Sequence, residues 1–265
     1  MILLLDIGNT HTHLGWADTR GVRQTRDIDT TEVLGGRLPQ HLRAWLGSRI
    51  PAHAALCSVV PAAIAPAQTA LKGLLGHEPV VLRPDTLPGE LLTLRYPRPE
   101  TLGTDRIANA IAARRLVGAP VIAIDFGTAT TFDVVDPRGR FIGGVIAPGI
   151  SALADYLHEK TAQLPRIPLR EPRAAIGRST VEAMQVGTLT GYRGLIREVL
   201  QGIRGQLGHE ATPTVATGGY ARQMVRRLPE IDRVHPHLTL EGLRLFAESM
   251  LGDRPPRGPR PGVGR

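Results

Sequence analysis

The sequence predicts an α/β protein of two similar domains with a cleft between them. Three observations lead there. Ile2–Leu5 runs into Asp6-Ile7-Gly8-Asn9-Thr10, and Val121–Ile124 runs into Asp125-Phe126-Gly127-Thr128-Ala129, so one pattern occurs twice. Strands are followed by helices in both halves, the arrangement of α/β domains. The 265 residues, 42% of them hydrophobic, suffice for two medium-sized cores.

Four apolar residues in a row indicate a strand buried on both faces, and Gly with Asn or Thr indicates a tight hairpin after it. Such a turn presents backbone N–H groups and hydroxyls to a phosphate, and an Asp at the strand end can hold a cation. Repeated, the pattern reads as a duplicated fold gripping one polyphosphate from both sides.

The elements follow in order. Residues 13–28 read as short antiparallel strands. Helical spacing covers 37–48 and 62–75, and Ala54–Val60 reads as a strand stopped by Pro61. Pro79–Leu82 is another short strand, after which Pro88, Pro97 and Pro99 forbid a long helix in a loop-rich stretch. Residues 105–117 form a helix with Thr104 as its N-cap and Ile107, Ala108, Ile111, Ala112 and Leu116 on one face. A boundary near Val117–Gly118 gives an N-terminal domain, 1–117, and a C-terminal domain, 118–252. The second half opens with strand–turn–strand over 121–136. It continues with a Gly-rich return at 143–149, helices at 150–160 and 179–204, and a strand at Thr214–Ala216 that ends in Thr217-Gly218-Gly219.

Composition narrows the function. Of the net charge of +8, residues 253–265 supply +3 through four Arg and one Asp. With so much Pro and Gly that tail cannot pack, and it reads as disordered. The remaining charge is spread without a basic helix or interleaved aromatics, so nucleic acid is not an expected partner; an anionic small substrate explains it. No apolar run approaches a membrane span and no signal peptide is evident, so no membrane partner is expected and the cytoplasm is the expected compartment. The single cysteine, Cys57, excludes an internal disulfide and reads as a small buried hydrophobe. No Gly-x-x-x-x-Gly-Lys-Ser/Thr loop occurs, the two lysines (Lys72 and Lys160) lie in no Gly-rich turn, and no Gly-x-Gly-x-x-Gly follows a strand. The remaining phosphate device is the paired hairpin, with its amides and the hydroxyls of Thr10, Thr12, Thr128, Thr130 and Thr131.

Asp6–Thr10, Asp125–Thr128 and Thr217-Gly218-Gly219, in that order, resemble the phosphate-1, phosphate-2 and adenosine motifs of the actin-like and sugar-kinase-like phosphotransferases. That resemblance implies two duplicated ribonuclease-H-like (actin-like ATPase) domains. Gly103-Thr104-Asp105-Arg106 is similar to the Gly-x-Asp-Arg segment of type III pantothenate kinases. Ser58–Pro61, Tyr96, Gly143–Gly149, Thr161–Pro165 and Ile176–Thr180 resemble that family as well, from residue 1 to about 250.

The narrower resemblance implies transfer of the ATP γ-phosphate to pantothenate, giving 4′-phosphopantothenate in the first step of coenzyme A synthesis. It makes Asp105 the base for the substrate's primary hydroxyl. It assigns Asp6, Ile7, Gly8, Asn9, Thr10, His11, Thr12, His13 and Thr128 to ATP, and Tyr96, Gly103, Thr104, Asp105, Arg106 and Thr180 to pantothenate. Asp125 becomes the ligand of a monovalent cation, potassium or ammonium, and Asp6 faces Mg²⁺ of the ATP complex through water. The family forms homodimers with the substrate pocket near the interface.

The residues also admit plainer readings. Asp105 is a first-turn acid favoured by the helix dipole, Arg106 a solvated surface residue, Tyr96 a packing aromatic beside Pro97, and Thr180 an N-cap. Either hairpin Asp can bond its own turn. Strand alternation puts His11 and His13 on one face, but two ligands without a third make no zinc site. His13 then either touches phosphate or is a partly exposed strand residue. The alternatives to pantothenate phosphorylation are another small-molecule kinase or phosphohydrolase on the same fold, or a non-catalytic regulator.

Overall fold

The computed structural model describes residues 1–252, which form two compact units; the expected disordered tail, 253–265, lies outside the described residues. Of the described residues, the first unit comprises Met1–Leu91, Gly103–Asp105 and 243–252, and the second comprises Leu92–Leu102 and Arg106–Gly242. This division differs from the boundary expected near Val117–Gly118. That point is where a helix ends, through Gly118 in the left-handed region at φ +85°, and a helix end need not be the end of a packing unit.

In the first unit β1 (Ile2–Ile7) pairs antiparallel with β2 (His11–Asp18), and β2 with β3 (Gly21–Asp29). Helices α1 (Thr30–Leu34) and α2 (Leu38–Leu46) lead to β4 (His53–Ser58), parallel to β1, and α3 (Pro61–Leu75) leads to β5 (Val80–Val81), parallel to β4. The sheet order is β3-β2-β1-β4-β5. Leu3, Leu5 and Ile7 cluster with Trp16, Leu42 and Leu71, while Leu4 is buried on the other face. Both faces of β1 are therefore covered, which is why its sequence is continuously apolar. Pro61 occupies the first turn of α3, where its missing N–H is not needed.

The second unit contains β6 (Thr93–Leu94), α4 (Thr104–Val117, whose first two residues pack with the first unit), β7 (Val121–Phe126), β8 (Ala129–Val135) and β9 (Arg140–Pro148). Then come α5 (Ile150–Lys160), α6 (Thr180–Leu207), β10 (Thr214–Thr217), α7 (Ala221–Val225), β11 (Arg233–Val234) and α8 (Leu238–Leu251), which continues into the first unit from Leu243. The sheet order is β11-β10-β7-β8-β9-β6. Without β6, the order β9-β8-β7-β10-β11 repeats that of the first unit, with the same parallel and antiparallel pairings. Even a register shift between the second and third strands recurs, at Trp16/Ala17 and at Val134/Val135. The duplication read from two hairpins thus extends over both sheets.

Three expectations change. Two residues of the loop-rich stretch form β6 against Arg140 and Phe141, a strand too short to show a period. Helix α4 is buried all round from Arg106 to Ala113 instead of on one face, and Leu116 is 38% exposed. The sequence reading also passed over α8. Among the described residues no helix is long and apolar enough to cross a membrane.

The packing of α8 on α4 depends on a missing side chain. A Cβ on Gly242 would lie 1.8 Å from the Ala108 carbonyl oxygen. Gly242→Ala is expected to force the two backbones apart at a cost of about 1–3 kcal/mol, read as a fall of several degrees in Tm. An unchanged Tm would refute this close packing.

Candidate active site

In the first unit the turn after β1 consists of Gly8, Asn9 and Thr10, closed by the Gly8 N–H donating to the His11 carbonyl at 3.0 Å. Thr12, opposite Ile7, is wholly buried. Its hydroxyl lies 3.1 Å from that of Thr30, which donates to the Gly8 carbonyl at 2.7 Å, so Thr12 is the donor to Thr30. The Thr12 side chain braces the turn, and the Ile7 side chain lies in the core. Gly8 is half-buried, and Asn9, Thr10 and His11 are exposed. His11 and His13 do share a face, their rings 6.5 Å apart, and they face Asp29 and Asp27 of β3 at 3.7 and 2.7 Å. Among the described residues no group of three or more His, Cys, Asp or Glu is placed to hold a metal ion.

Asp6 is buried at 8% exposure, opposite Cys57 on β4, and the Cys57 thiol donates to its Oδ1 at 3.4 Å. Burial first, and then the charges of Asp6 and Asp105, push the thiol well above its usual pKa, so it stays protonated. The Gly103–Asp105 segment is tied to the end of β4. Thr104 does not cap α4: it is the first helical residue, and its hydroxyl accepts from the Ser58 N–H at 3.0 Å and donates to the Ser58 carbonyl at 3.1 Å. The Asp105 carboxylate folds back over Gly103, where a Cβ would sit 2.5 Å from Oδ1 and 3.4 Å from Val59. This contact supplies a physical reason for Gly in Gly-x-Asp-Arg, and it makes the Ser58–Pro61 and Gly103–Arg106 motifs neighbours.

In the second unit the turn has only two residues, Gly127 and Thr128, with Thr128 exposed. Thr130, opposite Phe126, is wholly buried and 2.5 Å from the Tyr192 hydroxyl, which itself donates to the Pro148 carbonyl at 3.2 Å. The Gly-rich return ends against this turn, where Gly149 donates its N–H to the Thr128 carbonyl at 3.1 Å.

Asp125 is half-buried opposite Thr217 of β10. Its Oδ2 accepts from the Asn109 amide at 3.3 Å. Its Oδ1 faces the backbone of Gly127 and Gly218, where a Cβ on Gly218 would lie 2.4 Å away. Gly218 also takes φ +91°, so this position suits glycine twice over.

Arg106 is buried and not a solvated surface residue. Its Nε donates to Asp133 at 2.6 Å, and its guanidinium lies over Phe141 at 5.8 Å. Tyr96 meets the same ring edge-on at 6.1 Å. A Cβ on Gly144 would come within 2.8 Å of the Arg106 guanidinium, which accounts for part of the Gly-rich return. Thr180 is exposed and is not the N-cap of α6. Ser179 holds that position, accepting from the Glu182 N–H at 3.2 Å, while Glu182 accepts from the Arg178 N–H at 2.8 Å.

Among the expected site residues, the structure therefore joins Gly103, Thr104 and Asp105 on the Ser58–Val59 turn, and Tyr96 with Arg106 on Phe141. Asp125 joins Gly218 of the adenosine motif. Thr180 keeps apart on the first turn of α6. Sequence reading missed Asn109, Asp133 and Phe141. Only Asn109 left a signal, a polar residue in a helix segment otherwise rich in alanine and isoleucine.

Two sheets sharing one five-strand order, each with a central strand that carries an Asp next to a glycine turn, define the duplicated fold of the actin-like, sugar-kinase-like class. A solved structure assigned as a 2-dehydro-3-deoxygalactonokinase from Sinorhizobium meliloti shares the fold, with TM-score 0.57, 15% identity, and coverage of 94% of this chain and 99% of that one. So does a protein from Campylobacter jejuni assigned to the Baf family of transcriptional activators, with TM-score 0.62, 18% identity, and coverage of 94% and 98%. The chain belongs to the type III pantothenate kinase family, whose model matches residues 2–202. A type III pantothenate kinase of Akkermansia muciniphila is 42% identical over 246 residues, 92% of this chain and 97% of that protein.

The Gly103 contact gives a test. Gly103→Ala leaves the backbone unstrained but pushes the Asp105 carboxylate aside. With Asp105 as the base that the resemblance implies, the expected result is an unchanged fold by circular dichroism and turnover down tenfold or more, because a displacement of about 1 Å can cost 10²-fold. Full turnover in this variant would separate Asp105 from catalysis.

Proposed function

We infer that this chain transfers the γ-phosphate of ATP to pantothenate, giving 4′-phosphopantothenate, the opening step of coenzyme A synthesis. Family membership sets the reaction. The observation that carries the residue roles is the Gly103-Thr104-Asp105-Arg106 turn, which opens α4 with the Asp105 carboxylate laid over a glycine.

In this reading the oxygen of pantothenate's primary hydroxyl attacks the γ-phosphorus. A new O–P bond forms, the bond to the β-phosphate oxygen breaks, ADP leaves, and the hydroxyl proton passes to Asp105. The transition state is loose, so Asp105 orients the nucleophile and takes its proton late. Exposed residues of the first turn, with Thr128, hold the phosphates through amides and hydroxyls; Ile7 and Thr12, wholly buried, support that turn from behind. Magnesium arriving with ATP neutralises phosphate charge, and the buried Asp6 carboxylate is an oxygen donor suited to its water shell. The half-buried Asp125 carboxylate, held at Oδ2 by the Asn109 amide, is an oxygen donor suited to a monovalent cation. Tyr96, Gly103, Thr104, Arg106 and Thr180 receive pantothenate, with Arg106 kept in place by Asp133.

A homodimer is part of this proposal. Ile146, Tyr156 and Ile176 are 64%, 60% and 80% exposed, and Val181 is exposed on α6, all within the second unit. Exposed apolar residues of this size suit a subunit interface. The cytoplasm, where both substrates would be met, completes it.

ADP release coupled to a panel of acceptors is expected with pantothenate and not with sugars or short acids; release with a sugar instead would overturn the substrate. Asp105→Asn should retain ATP binding while turnover falls by about 10²–10⁴-fold, and near-normal turnover would remove the base. In sodium-only buffer activity should drop to background and return with potassium or ammonium; full activity in sodium would remove the role of Asp125.

A further inference from the structure

We propose that Asn109 is a positioning residue for Asp125, held in that role by Thr239. The proposal rests on the reading of Asp125 as a monovalent-cation ligand and adds two residues to it.

Asn109 is 1% exposed on α4, and a buried amide needs partners at both ends. Its Nδ2 donates to Asp125 Oδ2 at 3.3 Å, and its Oδ1 accepts from the Thr239 hydroxyl at 2.9 Å. This orientation follows from chemistry. An ionised carboxylate only accepts, so the NH₂ end must face Asp125 and the oxygen end must face a donor. Thr239, on the first turn of α8, is that donor and keeps the amide from turning over. With Oδ2 engaged, the Asp125 carboxylate is fixed with Oδ1 turned toward the Gly127 and Gly218 backbone. An amide suits the task because it orients the carboxylate and adds no charge. A lysine or arginine here would offset the charge that attracts the cation.

The test uses the full-length protein. Wild type, Asn109→Ala and Thr239→Val are compared for the rise in Tm produced by potassium over sodium at fixed ATP. They are also compared for the potassium concentration that gives half-maximal turnover. Asn109→Ala is expected to need about tenfold more potassium or more, the scale on which loss of an outer-shell partner weakens metal binding, and to lose most of the potassium-dependent rise in Tm. Thr239→Val, which conserves volume and removes only the hydroxyl, should shift both readouts the same way by a smaller factor. It keeps the proposal testable if Asn109→Ala fails to fold. A lower Tm with an unchanged potassium requirement in the folded variants would make Asn109 merely structural and overturn the proposal. A wild type indifferent to potassium in both readouts would overturn the Asp125 reading itself, an outcome distinct from that one.

Discussion

Each unit depends on one buried threonine hydroxyl behind its first turn. A buried hydroxyl left unpaired costs about 1–3 kcal/mol, so Thr12 and Thr130 can occupy their places only if a partner is brought to them. In both cases the partner is a second hydroxyl, Thr30 or Tyr192, which passes its own hydrogen on to a carbonyl, that of Gly8 or of Pro148. The relay ties the start of α1 to the first turn and the middle of α6, with the end of β9, to the second. The hairpin geometry is set by the protein's interior, and ligand binding then carries less of the cost of ordering.

On this common frame the two aspartates have different surroundings. The first turn has one residue more than the second, and the residue opposite Asp6 is His13 where that opposite Asp125 is Thr131. Asp6 is met by a thiol from the neighbouring strand, and Asp125 by an amide from a helix. Duplication supplied two equivalent carboxylates, and the contacts from outside the hairpins gave them different surroundings. The Gly-x-Asp-Arg segment has no counterpart in the repeat: Gly103–Asp105 closes on the end of β4, and Arg106 lies over Phe141.

Much of the scaffold was legible because its signals are local. Leu3–Leu5 and Val121–Ile124 announce central strands, and the glycines at 8 and 127 announce the turns. What escaped depends on contacts distant in sequence. Thr104 and Thr180 each stand beside a helix start and read as caps. Ser58, 46 residues away, engages the first, and Ser179, one residue earlier, caps in place of the second. Asn109 is one turn of helix beyond Asp105, but its partner Thr239 is 130 residues away on a helix the periodicity did not reveal. For Arg106 the sequence admits a surface reading beside the substrate role that the resemblance implies. Its own burial against Asp133 and Phe141 excludes the surface reading.

Cys57 has a consequence beyond packing. A thiolate there would add a third negative charge beside Asp6 and Asp105. Burial and those same two carboxylates keep the sulfur protonated. The thiolate is also the form that oxidants and electrophiles attack. The only cysteine of this chain is therefore buried and held in its less reactive thiol form.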